Sequence, residues 1–201
     1  DMIDNFDISR VSLGGPIFDI EKLDWLSGKY IREDLDDEAF LEQFAEWAFK
    51  KEKLMQVAPL LKQRVERFSD VASLGSFFFS GLLEVNETSF QHKNLSAADQ
   101  AKILQFSLWR LEQLGDWQRD SIEAALQSLA ECLELKIRDF LFPLFVAMSG
   151  KAVSTSVIES LSIIGLDISR ARIRHGIEVL GGISKKQTKN LEKEYRGLSL
   201  E

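Results

Sequence analysis

The chain is predicted to be all-α. Three observations carry this reading. Apolar residues recur every three or four positions almost everywhere after Asp36. Ser, Asp and Gly fall where helices must start and stop. No apolar–polar alternation is long enough to suggest a strand of more than four residues. A stack of short helices joined by tight, capped turns is expected.

Taken in order, Gly14-Gly15-Pro16 sets a turn, and the segment behind it reads as a helix start. Trp25, Lys29 and Arg32 recur there at i, i+4 and i+7, so a helix puts one indole and two cations on one side. The acidic run from Glu33 to Glu38 complements a helix dipole and reads as a solvated helix entry rather than a metal site. Asp36 or Asp37 caps a helix on Phe40, Leu41, Phe44, Ala45, Ala48 and Phe49. A second helix uses Leu54, Val57, Leu61, Val65 and Phe68, and Ser69 caps a third that leads into Phe77-Phe78-Phe79 and a turn at Ser80-Gly81.

Residues 84–95 are polar and irregular, which marks a boundary. Ser96 and Asp99 form a capping-box start for a long helix through Leu104, Leu108, Leu111 and Leu114. Another follows on Ile122, Leu126, Leu129 and Leu133, then one over about 136–148 that contains Pro143 and stops at Gly150. Ser154 caps a helix closed by Gly165, and Asp167 caps one bearing Arg170, Arg172 and Arg174 that ends at Gly181-Gly182. Ser184 opens a last, basic helix running to Tyr195.

The 201 residues are 45% hydrophobic and 28% charged, ordinary for a globular protein with a real core. No apolar run reaches membrane-spanning length, and no secretory leader is evident, so a soluble, cytoplasmic protein is expected. The one cysteine, Cys132, excludes an intrachain disulfide and reads as a small buried hydrophobe. The net charge of −7 argues against nucleic acid, but its distribution softens that: residues 168–201 hold eight Lys/Arg against four Asp/Glu. A local basic strip suffices, since charges act over about 8–10 Å. The chain opens in mid-element, which suggests a piece of a longer protein.

Catalytic constellations are missing. There is no Cys-x-x-Cys, His-x-x-x-His, Gly-x-x-x-x-Gly-Lys or Gly-x-Ser-x-Gly, and the only histidines are His92 and His175. Neither a catalytic residue nor a metal site is expected. What remains is binding. Lys62, Arg64 and Arg67 lie near one edge of a helix whose other face is apolar, and an arginine fork suits a base edge or a phosphate, although pairing with Glu66 would serve a plain surface helix.

Three blocks in this order resemble bacterial glutamyl-tRNA synthetases. The first is Phe18-Asp19-x-x-Lys22-Leu23-x-Trp25, continuing to Tyr30-Ile31-Arg32, where Ser27 stands at a usual Asn. It is similar to the junction after the catalytic core, which implies tRNA-backbone contact by Trp25, Lys29, Tyr30 and Arg32, with Lys62 added. The second is Leu61-x-x-Arg64-x-x-x-Phe68-x-Asp70 followed by Phe77-Phe78-Phe79. It resembles the first anticodon-binding subdomain, in which the arginine at Arg64 reads the third anticodon base and favours tRNA-Glu; Arg67 is carried with it. The third is Lys136 with Pro143-Leu144 and Ser149-Gly150, then Ser154 and Val157. The family arginine tied to the first anticodon base is Phe145 here, Ser149 replaces Thr, and Thr155 replaces a Pro. Phe145 stacks on a base or serves the core.

The resemblance implies a C-terminal anticodon-binding region in two helical subdomains, residues 36–95 and 96–201, preceded by the end of a stem-contact segment over 1–35. It implies tRNA-Glu as partner, with tRNA-Gln as the relaxed alternative, the catalytic domain of the same polypeptide, and a monomer. ATP and Mg then belong to the full-length enzyme, and this region holds no cofactor. A protein-interaction module with decayed RNA contacts is the rival reading. Lys185, Lys186, Lys189, Lys193 and Arg196 form either an extra phosphate strip or a solvated face.

Overall fold

A computed structural model describes residues 19–152 and 155–199. Among them are ten α-helices and no strand, and no helix is long and apolar enough to cross a membrane. The contacts divide the chain into two compact units, Asp1–Lys50 and Lys51–Glu201.

In the first unit, Asp19 Oδ1 accepts the Lys22 N–H at 3.0 Å and starts α1 (Ile20–Lys29). The helix widens into one π turn over Tyr30–Asp34, and extended backbone at Leu35 ends it. Asp36 caps α2 (Asp37–Ala48), its Oδ1 accepting the Ala39 N–H at 2.9 Å. Three aromatic side chains follow one another at helical spacing here and Phe49 joins them from the end of the helix: Phe40 and Phe44 stack at 6.2 Å, and Phe44 meets Phe49 edge-on at 5.8 Å and Trp47 at 6.4 Å.

The second unit begins with α3 (Lys51–Lys62) and α4 (Phe68–Gly75), then a 3₁₀ turn over Ser76–Phe79 and another over Glu87–Phe90. The expected helix through Val65 and Phe68 is not formed. α3 stops at Lys62, and Arg67, rather than Ser69, stands at the cap position of α4. Then come α5 (Ala97–Glu112), α6 (Arg119–Cys132), α7 (Ile137–Ser149), α8 (Val157–Ile164), α9 (Leu166–Val179) and α10 (Lys185–Arg196).

Ser96 and Ser184 cap α5 and α10 as expected, each in a reciprocal box with the third residue of its helix. Gly150 ends α7 with φ +72, a left-handed conformation that glycine adopts without a Cβ penalty. α9 starts at Leu166 with Gly165 before it, so Asp167 lies in the first turn instead of capping it.

The larger core gathers Leu104, Phe106, Ile122, Leu126, Leu129, Phe140, Leu144 and Ile173 with their neighbours, while Val57, Leu61, Phe77 and Phe78 form a smaller one that Ile163 and Ile164 of α8 cover. Each fully buried side chain of this size contributes about 1.5–3 kcal/mol. α5 runs between α6, α7 and α9. Gly176 lets α9 approach closely: a Cβ there would lie 3.2 Å from Leu104 Cδ1 and 3.3 Å from Phe90 Cζ. Cys132 is only partly buried, and its Sγ lies 3.4 Å from the Ser199 carbonyl.

The least expected core residue is Arg172, 1% exposed. Its guanidinium donates to four main-chain carbonyls: Met148 at 2.5 Å, Phe77 at 2.6 Å, Ser80 at 2.6 Å and Gly81 at 2.8 Å. Burial lowers its pKa to about 10, so it stays charged at neutral pH. It joins the end of α7 to the turn that follows α4. Lys151 adds a second tie, donating to the Ser73 carbonyl of α4 at 3.0 Å.

Candidate nucleic-acid interface

The second unit displays two exposed patches of cations and aromatic rings. The first is the corner between α3 and α4. The Leu61 carbonyl accepts the N–H groups of Arg64 at 2.8 Å and Val65 at 3.2 Å, which tightens the end of α3. The Asp70 carboxylate then accepts the N–H groups of Glu66 at 3.1 Å and Arg67 at 2.9 Å, fixing the bend from inside the first turn of α4. The corner holds Lys62, Arg64, Arg67 and Phe68 on its surface. Arg64 and Arg67 are therefore loop residues, not i, i+3 neighbours on a helix. Phe68 is 95% exposed, so the ring read as a core position stands in solvent. An uncovered phenyl among cations is what single-stranded RNA requires, a stacking surface beside phosphate contacts.

The second patch is an open depression of about 550 Å³ lined by His92, Lys93, Lys136, Arg138, Phe142 and Phe145, among others. Lys136 and Arg138 come from the start of α7, and Phe142 and Phe145 lie one and two turns further along it. Phe145 is half-buried: part of its ring packs on the larger core, and part lines the depression. The core role raised for it is thus met by part of the ring, and the other part is left open to the depression. The His92 ring lies 4.6 Å from Phe142 and its Nε2 is 3.5 Å from Asp139 Oδ1. The Asn94 N–H donates to Nδ1 at 3.3 Å, which leaves the proton of a neutral ring on Nε2, facing the carboxylate.

Ser154 lies outside the described residues. Val157 opens α8 but is 2% exposed and packs into the core, so its side chain does not face a ligand as expected. Behind it, Thr155 is 3% exposed and its hydroxyl shares a hydrogen bond with Ser160 at 2.9 Å. The residue that replaces the family's Pro thus secures the start of α8 through a side chain.

In the first unit, Lys29 Nζ sits 5.6 Å from the Trp25 ring centroid and 3.7 Å from Glu33 Oε2. Arg32 folds back over Gly28, where a Cβ would meet its Nη1 at 2.8 Å. Lys29 thus lies beside the indole and Arg32 over Gly28, and Trp25 is 58% exposed. Tyr30 faces α2, its hydroxyl accepting from Gln43 at 3.3 Å.

Sequence reasoning missed Phe68, Lys93 and Arg138 as surface partners of these patches. No group of three or more His, Cys, Asp or Glu side chains among the described residues could hold a metal.

Residues 39–177 match the family described as Anticodon binding domain. The chain is 53% identical over 197 residues to the glutamate–tRNA ligase of Alcanivorax borkumensis, an alignment that covers 98% of this chain and 40% of that protein. Over 200 residues it is 46% identical to the glutamate–tRNA ligase of Marinobacter nauticus, covering 100% of this chain and 41% of that one. Among solved structures, a glutamate tRNA ligase from Elizabethkingia meningosepticum in complex with its amino acid matches with a TM-score of 0.58 and 25% identity, over 89% of this chain and 36% of the other. The chain thus spans about two-fifths of the length of the relatives it matches.

Proposed function

The chain belongs to the anticodon-binding domain family, and from that premise we propose that it is the tRNA-reading region of a glutamate–tRNA ligase. In the whole polypeptide it selects tRNA-Glu for ATP-dependent glutamylation by a catalytic domain that this chain does not include. ATP and Mg act in that domain, in the cytoplasm. The observation that carries the reading is the pair of cation–aromatic patches in the second unit, at the α3–α4 corner and in the depression beside α7.

The mechanism is positional. Arg64 pairs with the third anticodon base through its guanidinium fork, Arg67 and Lys62 meet the neighbouring phosphates, and Phe68 offers a ring to an unstacked base. Phe145 stacks on the first base from the depression, where Lys93, Lys136 and Arg138 face the backbone. In the first unit, Trp25, Lys29, Tyr30 and Arg32 contact the tRNA backbone. Arg172 joins α7, which carries the second patch, to the turn that follows α4, the helix whose first turn carries Phe68 of the first patch. The functional subdomains we propose, over 36–95 and 96–201, differ from the two compact units, which divide after Lys50.

Phe145 favours a second reading within the same family. A phenyl ring donates no hydrogen bond, so the first anticodon base is read weakly and the third-base contact of Arg64 alone carries the discrimination. In the relaxed reading that contact is insufficient and the enzyme accepts tRNA-Gln as well.

Titrating the chain with tRNA-Glu and tRNA-Gln transcripts at two salt concentrations, beside Arg64→Ala, tests both. Salt-sensitive binding that prefers tRNA-Glu, with the preference lost in Arg64→Ala, is the expected result. Equal binding of the two tRNAs supports the relaxed reading. No salt-sensitive binding overturns both and favours a protein-interaction module.

A further inference from the structure

α10 lies beyond the residues that match the family, and the anticodon contacts leave it unused. At about 100° per residue, Lys185, Arg196, Lys189, Lys193 and Lys186 fall within one arc of about 100°, spread over roughly 16 Å of helix. All five are exposed, and none makes an ion pair with a described residue. Leu191, Tyr195 and Leu198 occupy the opposite side and pack on the larger core, where the Tyr195 ring meets Phe106 at 5.3 Å and Trp109 at 5.4 Å. The Tyr195 hydroxyl donates to Gln113 Oε1 at 3.3 Å, and Lys102 pairs with Glu194 beside this contact. The helix is therefore held with its basic stripe turned outward and Glu192 at the stripe's edge.

The stripe costs the helix stability. Lys185 and Lys189, and Lys189 and Lys193, are like-charged i, i+4 pairs, each mildly unfavourable to the helix. Lys185 and Lys186 also stand in the first turn, where the helix dipole disfavours cations and no acidic residue offsets them. A helix serving only to cover the core would not need this arrangement.

We infer that the outward stripe of α10 is a phosphate-backbone contact for the tRNA, additional to the anticodon patches. The inference rests on the proposed tRNA reading. Compact ammonium groups about 6 Å apart suit successive phosphates and carry no base preference. A membrane surface is a poorer partner, since an interfacial helix inserts the apolar face that here is already docked.

The test uses the 201-residue chain with Lys185, Lys189 and Lys193 all changed to Gln, and separately Lys189→Glu, titrated with tRNA-Glu and tRNA-Gln over a salt series. The triple variant is expected to bind both about tenfold more weakly at moderate salt. Its plot of log affinity against log salt should be shallower by about 2 to 3, close to one for each phosphate no longer neutralised. The ratio between the tRNAs should be unchanged, and the thermal midpoint should equal or exceed that of the parent. Unaltered affinity and slope in both variants overturn the stripe, whatever Arg64→Ala does. So does loss of binding to anionic phospholipid vesicles with tRNA binding intact. Stripe effects of the expected size on a parent without tRNA preference would instead keep the stripe and overturn the anticodon reading.

Discussion

The Asp70 carboxylate accepts the main-chain N–H of Arg67 at 2.9 Å, and the same oxygen takes that of Glu66. One acidic side chain thus sets the bend on which Arg64, Arg67 and Phe68 are displayed. Asp70→Ala should cost about 1 kcal/mol in urea denaturation, as for other lost caps. It should also reduce the tRNA-Glu over tRNA-Gln preference, while Asp70→Asn, which keeps an acceptor oxygen, retains most of both.

Phe68 makes the sharpest separation of stability from binding. Because it is 95% exposed, Phe68→Ala should change the unfolding free energy by less than about 0.5 kcal/mol. Its tRNA affinity should fall by about 1–3 kcal/mol, the scale of one base–aromatic stack. Equal affinities in filter binding would remove the ring from the interface.

Phe145→Arg should sharpen discrimination at the first anticodon base by about 1–3 kcal/mol, the worth of a bidentate base contact. Anticodon variants of one transcript, titrated against both proteins, measure it directly.

Arg172→Met leaves four carbonyls without their donor and should destabilise the second unit by about 3 kcal/mol or more. Arg172→Lys supplies three N–H groups from a single nitrogen and should recover part of that stability. Urea midpoints of the three proteins give the comparison.

Acid sensitivity has a local source at the start of α5. Hydrogen bonds from the Ser96 hydroxyl and main-chain N–H hold the Asp99 carboxyl below its ordinary value of 3.8. With a depressed folded-state pKa, the stabilisation is complete above 3.8 and is lost as pH falls through the lowered value. Asp99→Asn should therefore lose its stability difference from the parent at the acid end of a denaturation series, and keep it at neutral pH.

The helices were legible in the sequence because their ends carry specific chemistry. Ser96, Ser184 and Asp36 offer hydroxyl or carboxylate acceptors where main-chain N–H groups lack partners, and Gly150 and Gly165 take backbone angles that other residues avoid. The corner at Val65–Phe68 was not legible because neither Gly nor Pro marks it. Its cause is Asp70, which acts backwards on the chain. Arg172 was hidden among Arg170 and Arg174, yet the spacing separates them: 170 and 174 share a face and pair with Glu112, whereas 172 lies on the side of Ser169, Ile173 and Gly176, all buried. A reading by helical angle rather than by composition would have set it apart. The depression beside Phe145 depends on loop residues 91–94 meeting α7, a long-range contact without periodicity.

The charge of Arg172 is met by carbonyl dipoles and, among the described residues, by no carboxylate. The joint therefore has no acid to protonate and no ion pair for electrolyte to screen, while the contacts proposed for RNA depend on screened charges at the surface. Holding the frame together and gripping the nucleic acid respond to different variables. A salt titration can strip the ligand away without loosening the frame that reads it, and the region is ready to rebind when the ions are diluted.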